Sequence, residues 1–352
     1  MPAEDPLAGG TEPLATAPGH GNGGATAAAA RAALAAVVPE PGAAKPDPIL
    51  VIDDVTRSFG GLRAVDVAHL EIQRGGITGL IGPNGAGKTT LFNLLTGFDR
   101  PNSGRWTFEG RSLNRLAPHR VARRGMVRTF QLTKALAKLT VLDNMRLGAT
   151  GQSGESFLGA LCTPWGRQER ANTAKARELL ARFRLDAKKD DLAGSLSGGQ
   201  RKLLEMARAL MMDPTVVMLD EPMAGVNPVL TQSLLGHVKS LRDDGMTVVF
   251  VEHDMDVIRD ISDWVVVMAQ GKVIAEGPPE ALSSNKAVVD AYLGAHHDRA
   301  LEFDAEGNPI GETAALVAEM DSQLAAAIER GESLSEPTVT GGAARRDREE
   351  AP

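Results

Sequence analysis

GITGLIGPNGAGKTTLFNLLTG, Gly76 to Gly97, decides the fold class of this 352-residue chain. Its first seven residues form a short apolar run that reads as a buried strand, and TTLFNLLTG reads as a helix with Gly97 at its C-cap. Between them GPNGAGKT, Gly82 to Thr89, satisfies the spacing G-x-x-x-x-G-K-[ST] in the context that gives it meaning, after a strand and before a helix. Gly82, Gly85 and Gly87 let the backbone turn its N–H groups inward around phosphates, Lys88 supplies a point charge, and Thr89 supplies a hydroxyl for Mg²⁺. An incidental glycine-rich turn does not require the strand, loop, Lys-Thr pair and helix in that order. The stretch predicts ATP or GTP as ligand and an α/β fold.

Working outward, two more runs are almost continuously apolar, TVVMLD (Thr215 to Asp220) and TVVFVEH (Thr247 to His253). Such runs fit central parallel strands covered on both faces. With Gly76 to Gly82 they predict three adjoining central strands. The strand VVMLDEP (Val216 to Pro222) ends in two carboxylates. Asp220 at the end of a buried strand needs a positive partner, and Mg²⁺ on a triphosphate would serve, while Glu221 is placed to take a proton from an attacking water. A second anion site is written into LSGGQRKLLEMARAL, Leu196 to Leu210. Ser197 can cap a helix there while Gly198 and Gly199 offer backbone N–H groups at the positive end of its dipole. Leu203, Leu204, Ala207, Leu210 and Met211 form its buried face, with Arg201, Lys202, Glu205 and Arg208 elsewhere.

Bulk composition excludes other classes. Hydrophobic residues at 43% and charged residues at 24% are ordinary for a globular protein, and a net charge of −7 gives no global pull toward nucleic acid or an anionic membrane. Cys162 alone makes no disulfide framework and suits a reducing cytoplasm. Apolar runs such as TVVFV (Thr247 to Val251) and WVVVMA (Trp264 to Ala269) are far short of the roughly 20 residues of a membrane-spanning helix. The N-terminus, MPAEDPLAGG, has no basic region, so the Ala-rich run at Ala27 to Val38 reads poorly as a secretory signal. Residues 1–47, rich in Ala, Gly, Pro and Thr, are expected to be disordered. The folded domain is expected over 48–295. Residues 296–352 read as a mostly flexible tail with one amphipathic helix at 313–331, where Leu316, Met320, Leu324 and Ile328 recur near helical spacing.

The phosphate loop, LSGGQ, VVMLDEP and a His closing the strand in VFVEHD (Val249 to Asp254) together resemble the ATP-binding subunits of ABC transporters, over about Ile49 to Gly294. The resemblance implies a P-loop NTPase fold with a mostly parallel central sheet, an antiparallel β subdomain and an α-helical signature subdomain. It implies ATP binding at Phe59, Gly82, Asn84, Gly85, Ala86, Gly87, Lys88, Thr89 and Thr90, with Phe59 of VTRSFGG stacking on adenine. Metal contacts fall on Thr89, Gln131 and Asp220, and catalytic roles on Glu221, His253, Gln131 and Lys88. By the same resemblance Ser197, Gly198, Gly199 and Gln200 hold the γ-phosphate of a second subunit's ATP, so two nucleotides lie between two head-to-tail domains. Asn227, in MAGVNP, stands where many relatives have Asp.

LFNLLTGFDRPNSG (Leu91 to Gly104), RRGMVRTFQ (Arg123 to Gln131), LTVLDNM (Leu139 to Met145) and DEPMAGVNP resemble the ATPases of branched-chain amino acid importers, which usually work as an unlike pair. Gly148 to Arg170 looks like the extra loop of one of the two types. The expected partners are therefore a second ABC ATPase, in a heterodimer or else a homodimer, and transmembrane permease subunits. A solute-binding protein acts indirectly, no nucleic acid is involved, and the place of work is the cytoplasmic face of the inner membrane. Urea-import and lipopolysaccharide-export ATPases share much of the pattern, and a regulatory ATPase without a permease is the further alternative. A DNA-repair type needs a coiled-coil insertion for which Gln131 to Leu196 is too short, and a translation type carries two ATPase units.

Overall fold

The computed structural model describes residues 23–129, 137–150, 165–282 and 285–293, all within the unit Met1–His297. The tail helix expected at 313–331 lies outside the described residues, as does Gln131. In chain order the strands are β1 (Pro48–Phe59), β2 (Leu62–Gln73), β3 (Ile77–Ile81), β4 (Ser103–Phe108), β5 (Arg111–Ser112), β6 (Met126–Arg128), β7 (Val216–Asp220), β8 (Thr247–Val251), β9 (Trp264–Ala269) and β10 (Lys272–Gly277). The helices are α1 (Gly23–Ala35), α2 (Lys88–Leu95), α3 (Pro118–Ala122), α4 (Val141–Leu147), α5 (Trp165–Arg182), α6 (Gly198–Leu210), α7 (Pro228–Asp243), α8 (Met255–Ile261), α9 (Pro279–Leu282) and α10 (Lys286–Leu293).

Six strands form one sheet in the order β10-β9-β3-β8-β7-β6, parallel except for the β9–β10 hairpin. The three runs expected at the centre, β3, β8 and β7, adjoin there. Their continuous apolar character follows from burial on both faces. Ile77, Ile81, Val217, Leu219, Val248 and Phe250 pack into one core with the helices, against Leu180, Phe183, Leu204 and Leu234. The alternate residues Leu80, Val216, Met218, Val249 and Val251 pack into a second core with Phe92 of α2 and with Ile52, Val65 and Trp106 of the other sheet. That sheet is antiparallel, ordered β2-β1-β4-β5. The period of two thus sends each strand's side chains into two separate cores.

The expectation of disorder through residue 47 fails for residues 23–47. Alanine is the best helix former, and Ala27, Ala30 and Leu34 recur on one face of α1, where all three are buried and the helix packs on α7. Arg31 Nε donates to Asp263 Oδ1 at 2.9 Å. The chain then runs to a buried ion pair, Lys45 Nζ to Glu276 Oε2 at 2.8 Å, whose side chains are only 1% and 0% exposed. Glu276 also accepts from the Ala43 amide at 2.9 Å and from Trp264 Nε1 at 2.8 Å, and the Lys45 ammonium lies 4.7 Å from the centre of the Trp264 ring. A few small apolar groups on a strong helix former, plus one satisfied charge, order a segment that composition alone reads as unstructured.

Candidate functional site

Strand register puts three sequence motifs in one row. Val251 of β8 is the register partner of both Leu80 of β3 and Asp220 of β7. One or two residues beyond that level lie Gly82 at the mouth of the phosphate loop, Glu221, and His253. All three emerge at the carboxyl ends of parallel strands, where open α/β sheets bind ligands.

The loop's glycines are demanded by space as well as by backbone angle. A Cβ on Gly82 (φ 145°) would lie 2.0 Å from the Met268 carbonyl oxygen, and one on Gly87 (φ 100°) 2.2 Å from that of Ala64. Gly85 (φ 77°) instead faces open space, with nothing within 4 Å of a Cβ there. The cradle is therefore closed behind by β2 and β9 and open in front. Asn84, Gly85 and Thr89 are exposed, Thr90 is half-buried, and Ala86 is buried under the loop. Gly87 is the N-cap of α2 and makes no side-chain capping bond. The amides of that first turn are the anion-binding end of the helix. Lys88 Nζ donates to the carbonyls of Gly82 at 2.5 Å and Pro83 at 3.0 Å. Burial lowers the pKa of this ammonium from its ordinary value, while the Glu221 and Asp220 carboxylates oppose the shift. Phe59, half exposed, ends β1 at the hairpin that leans on Gly87 through Ala64, and the Arg57 guanidinium sits 4.4 Å from its ring centre.

Asp220 lies at the end of β7 with its side chain 10% exposed, and Arg128 Nη2 donates to its Oδ2 at 2.5 Å. Arg128 also donates to Asn93 Oδ1 of α2 at 2.6 Å, which ties the β6 end, the carboxylate and the phosphate-loop helix together. Glu221 is held in the left-handed region at φ 45°, a conformation costly for a residue with a Cβ. Its amide donates to the Val251 carbonyl at 3.0 Å, and its own carbonyl accepts from Ala224 N at 3.2 Å and Lys202 Nζ at 3.0 Å. Two residues on, the Met223 amide donates to the buried Glu252 Oε1 at 2.8 Å. Burial raises the Glu252 pKa, with the Met223 amide the main opposing influence. His253 follows directly, its side chain 70% exposed and its Nδ1 3.8 Å from Glu252 Oε2.

The expected second anion site folds as a helix start. Ser197 is the N-cap of α6, in a reciprocal capping box: its Oγ accepts from Gln200 N at 3.3 Å and Gln200 Oε1 accepts from Ser197 N at 3.1 Å. Ser197 and Gly198 are exposed and Gly199 is buried. Gly199 has a packing reason to be glycine, since a Cβ there would lie 2.5 Å from Leu230 Cδ1. Asn227 caps α7, its Oδ1 accepting from Leu230 N at 2.9 Å. A phosphate-binding loop, paired strand-end carboxylates and a separate exposed helix start on one domain can bind a nucleotide and present a second anion-binding tip outward.

Comparison with known proteins decides the family. Residues 65–224 match the ABC transporter family, and residues 272–298 match the branched-chain amino acid ATP-binding cassette transporter family. The probable branched-chain amino acid transport ATP-binding protein LivG of Archaeoglobus fulgidus is 42% identical, over 70% of this chain and 96% of that protein.

The chain belongs to the ABC transporter ATPase family.

The high-affinity branched-chain amino acid transport ATP-binding protein BraF of Pseudomonas aeruginosa is 40% identical over 70% of this ATPase and 98% of its own length. A crystal structure of a nucleotide-free ATP-binding cassette from an ABC transporter superposes with a TM-score of 0.62 at 36% identity, covering 70% of this chain and 98% of that one. An ADP-bound conformation of a cassette of that kind gives the same score and identity. The fold expected from the motifs is the fold found.

Of the residues expected from sequence, the structure brings the phosphate loop, Asp220, Glu221 and His253 to one sheet end, and sets Ser197 to Gln200 at a helix tip. Three further residues of this ATPase escaped the sequence reading. Arg128, three residues before the expected Gln131 in sequence, pairs with Asp220; its signal was a cation at the end of a short strand whose register partner, Met218, lies two residues before that Asp. Glu252 stands in the quoted VFVEHD, where a carboxylate ending a buried strand implies donors nearby. Lys202 read as a solvent-side residue of α6, and nothing in helical spacing points it at Glu221.

Proposed function

We propose that this ABC ATPase powers import of branched-chain amino acids through membrane permease subunits, at the cytoplasmic face of the membrane and paired with a second ATPase subunit. The observation that carries the reading is the shared sheet end, where the phosphate loop, the Asp220–Glu221 pair and His253 align in register, while Ser197 and Gly198 remain exposed at a separate helix tip. The match of residues 272–298 to a branched-chain amino acid cassette, together with relatives of that name, favours this solute class over urea or lipopolysaccharide.

In the mechanism, the loop amides and the first turn of α2 bind the triphosphate, Lys88 neutralises the γ-phosphate, and Phe59 stacks on the base. Glu221 accepts a proton from the attacking water, and His253 steadies the γ-phosphate beside it. Thr89 is exposed at the start of α2 and the Asp220 carboxylate stands at the end of β7, oxygen donors that would suit a Mg²⁺ carried by the nucleotide, with Gln131 as a third. Bound Mg²⁺ supplies charge neutralisation at the phosphates. The exposed tip of Ser197, Gly198, Gly199 and Gln200 serves the partner's nucleotide.

Glu221→Gln should slow ATP hydrolysis by roughly 10²-fold or more, the scale of a lost general base, with ATP affinity retained. Near-normal turnover would remove Glu221 from that role. The same variant, tagged and incubated with ATP, should recover multi-span permease subunits and a second ATPase from gently solubilised native membranes. Recovery of soluble proteins alone would refute the transporter assignment.

A further inference from the structure

We propose that Lys202 is a positioning residue for hydrolysis: from the second turn of the signature helix it holds the backbone of Glu221 in the strained conformation that aims this carboxylate. The inference rests on Glu221 being the general base, and concerns a group argued to act through the Glu221 backbone rather than on the nucleotide.

Glu221 leaves β7 with φ 45°, a strained state for a non-glycine residue that persists only where its surroundings impose it. Three elements impose it here. The β8 strand accepts the Glu221 amide at Val251, and the turn itself returns the Ala224 amide to the Glu221 carbonyl. The third is the Lys202 ammonium of α6, 3.0 Å from the same carbonyl oxygen. It is the restraint in this set that comes from a side chain, and the one delivered by a different structural layer.

The surroundings explain why a cation stands there. Lys202 lines a pocket with Thr129, Glu205, Leu219, Asp220 and Glu221, with space inside for water-sized groups (about 20 Å³). Burial works against its charge, and Glu252, Glu205 and Glu221, in that order, favour it. A charged donor holds a carbonyl more strongly than a neutral one, which lets this contact oppose the strain. The mechanical consequence follows from the helix. The first turn of α6 is the exposed tip at Ser197 and Gly198, and the next turn carries Lys202. Displacing that tip shifts the Lys202 stem, so the signature helix and the base at the end of β7 are linked through the Lys202–Glu221 hydrogen bond.

The experiment measures steady-state ATP hydrolysis and fluorescent-ATP affinity of the full chain for Lys202→Met, Lys202→Arg, Glu221→Gln and the Lys202→Met/Glu221→Gln double variant. Loss of one charge-assisted restraint should lower kcat about tenfold in Lys202→Met. Affinity should stay within about twofold, Lys202→Arg should recover most of the rate, and Lys202→Met should add nothing to Glu221→Gln, because the carboxylate it aims is gone. Wild-type kcat in Lys202→Met, a parallel loss of affinity and kcat, or a multiplied loss in the double variant would each overturn the inference. If circular dichroism shows Lys202→Met unfolded, Lys202→Gln takes its place under the same outcomes. A Glu221→Gln single variant with near-normal turnover refutes the general-base reading itself, whatever Lys202 does.

Discussion

Removing the Lys45 ammonium tests whether the N-terminal segment is part of the folded domain. In Lys45→Met the methylene stem is nearly conserved, so the packing over Trp264 changes little while two donated hydrogen bonds, to Glu276 Oε2 at 2.8 Å and Ala43 O at 2.7 Å, are lost. Glu276, with its side chain 0% exposed, keeps the Ala43 amide and the Trp264 indole as donors but loses its counter-charge. Leaving one member of a buried pair without its partner costs about 3–5 kcal/mol, and the two remaining donors place this case near 3. For a domain of this size that corresponds to a fall in Tm of roughly 6–12 °C. The assay is urea and thermal unfolding of the full chain followed by circular dichroism. The partner variant Glu276→Gln and the double variant Lys45→Met/Glu276→Gln complete a cycle. The double should be more stable than Lys45→Met alone, because a neutral amide needs no cation, and the coupling should exceed about 1 kcal/mol. A Lys45→Met cost below about 1 kcal/mol, or losses that simply add, would refute the account and return residues 36–47 to the status of an accessory strand of chain.

Two further outcomes are expected. Gly87→Ala should abolish detectable ATP binding in a fluorescent-nucleotide titration, because the added methyl meets the Ala64 carbonyl at 2.2 Å and φ is 100°; Gly85→Ala has open space and only its φ of 77° to resist, so it should bind more weakly than wild type but measurably. Burial raises the Glu205 carboxyl pKa to about 7 against the opposing charges of Arg208 and Lys202. A raised folded-state value means its stabilising contribution is complete below the unfolded value of 4.5 and is lost as pH rises through about 7. Urea midpoints of wild type should therefore fall relative to Glu205→Gln between about pH 4.5 and 7 and level off above, and parallel profiles would refute the shift.

The parts of this fold that sequence exposes are those governed by local rules. A continuous apolar strand declares its own double burial, and the glycine spacing of the loop declares its curvature, because each constraint acts within a few residues. Ser197 and Gln200 are likewise a local pair, three residues apart, and their capping box sits in the sequence as Ser-x-x-Gln. The buried polar devices follow another logic. Lys45 meets Glu276 across 231 residues, and Arg128 meets Asp220 across 92. Lys45, Glu276 and Arg128 each read singly as a solvated group, and only the fold brings their partners near. The same reasoning explains the misreading of residues 23–47: composition measures how much apolar area a segment carries, whereas ordering depends on whether another surface is shaped to receive it. At the site this difference falls between two kinds of residue. Groups proposed to meet the nucleotide, such as Lys88, Thr89 and Glu221, sit on motifs whose spacing a phosphate ligand would dictate, and so stand out in the sequence. Groups that hold those residues, such as Arg128, Lys202 and Glu252, answer only to the fold, which can place the same donor or acceptor from several elements. The proposed nucleotide contacts of this ATPase are therefore written in short motifs, while the side chains that hold the Asp220–Glu221 turn are placed by the fold.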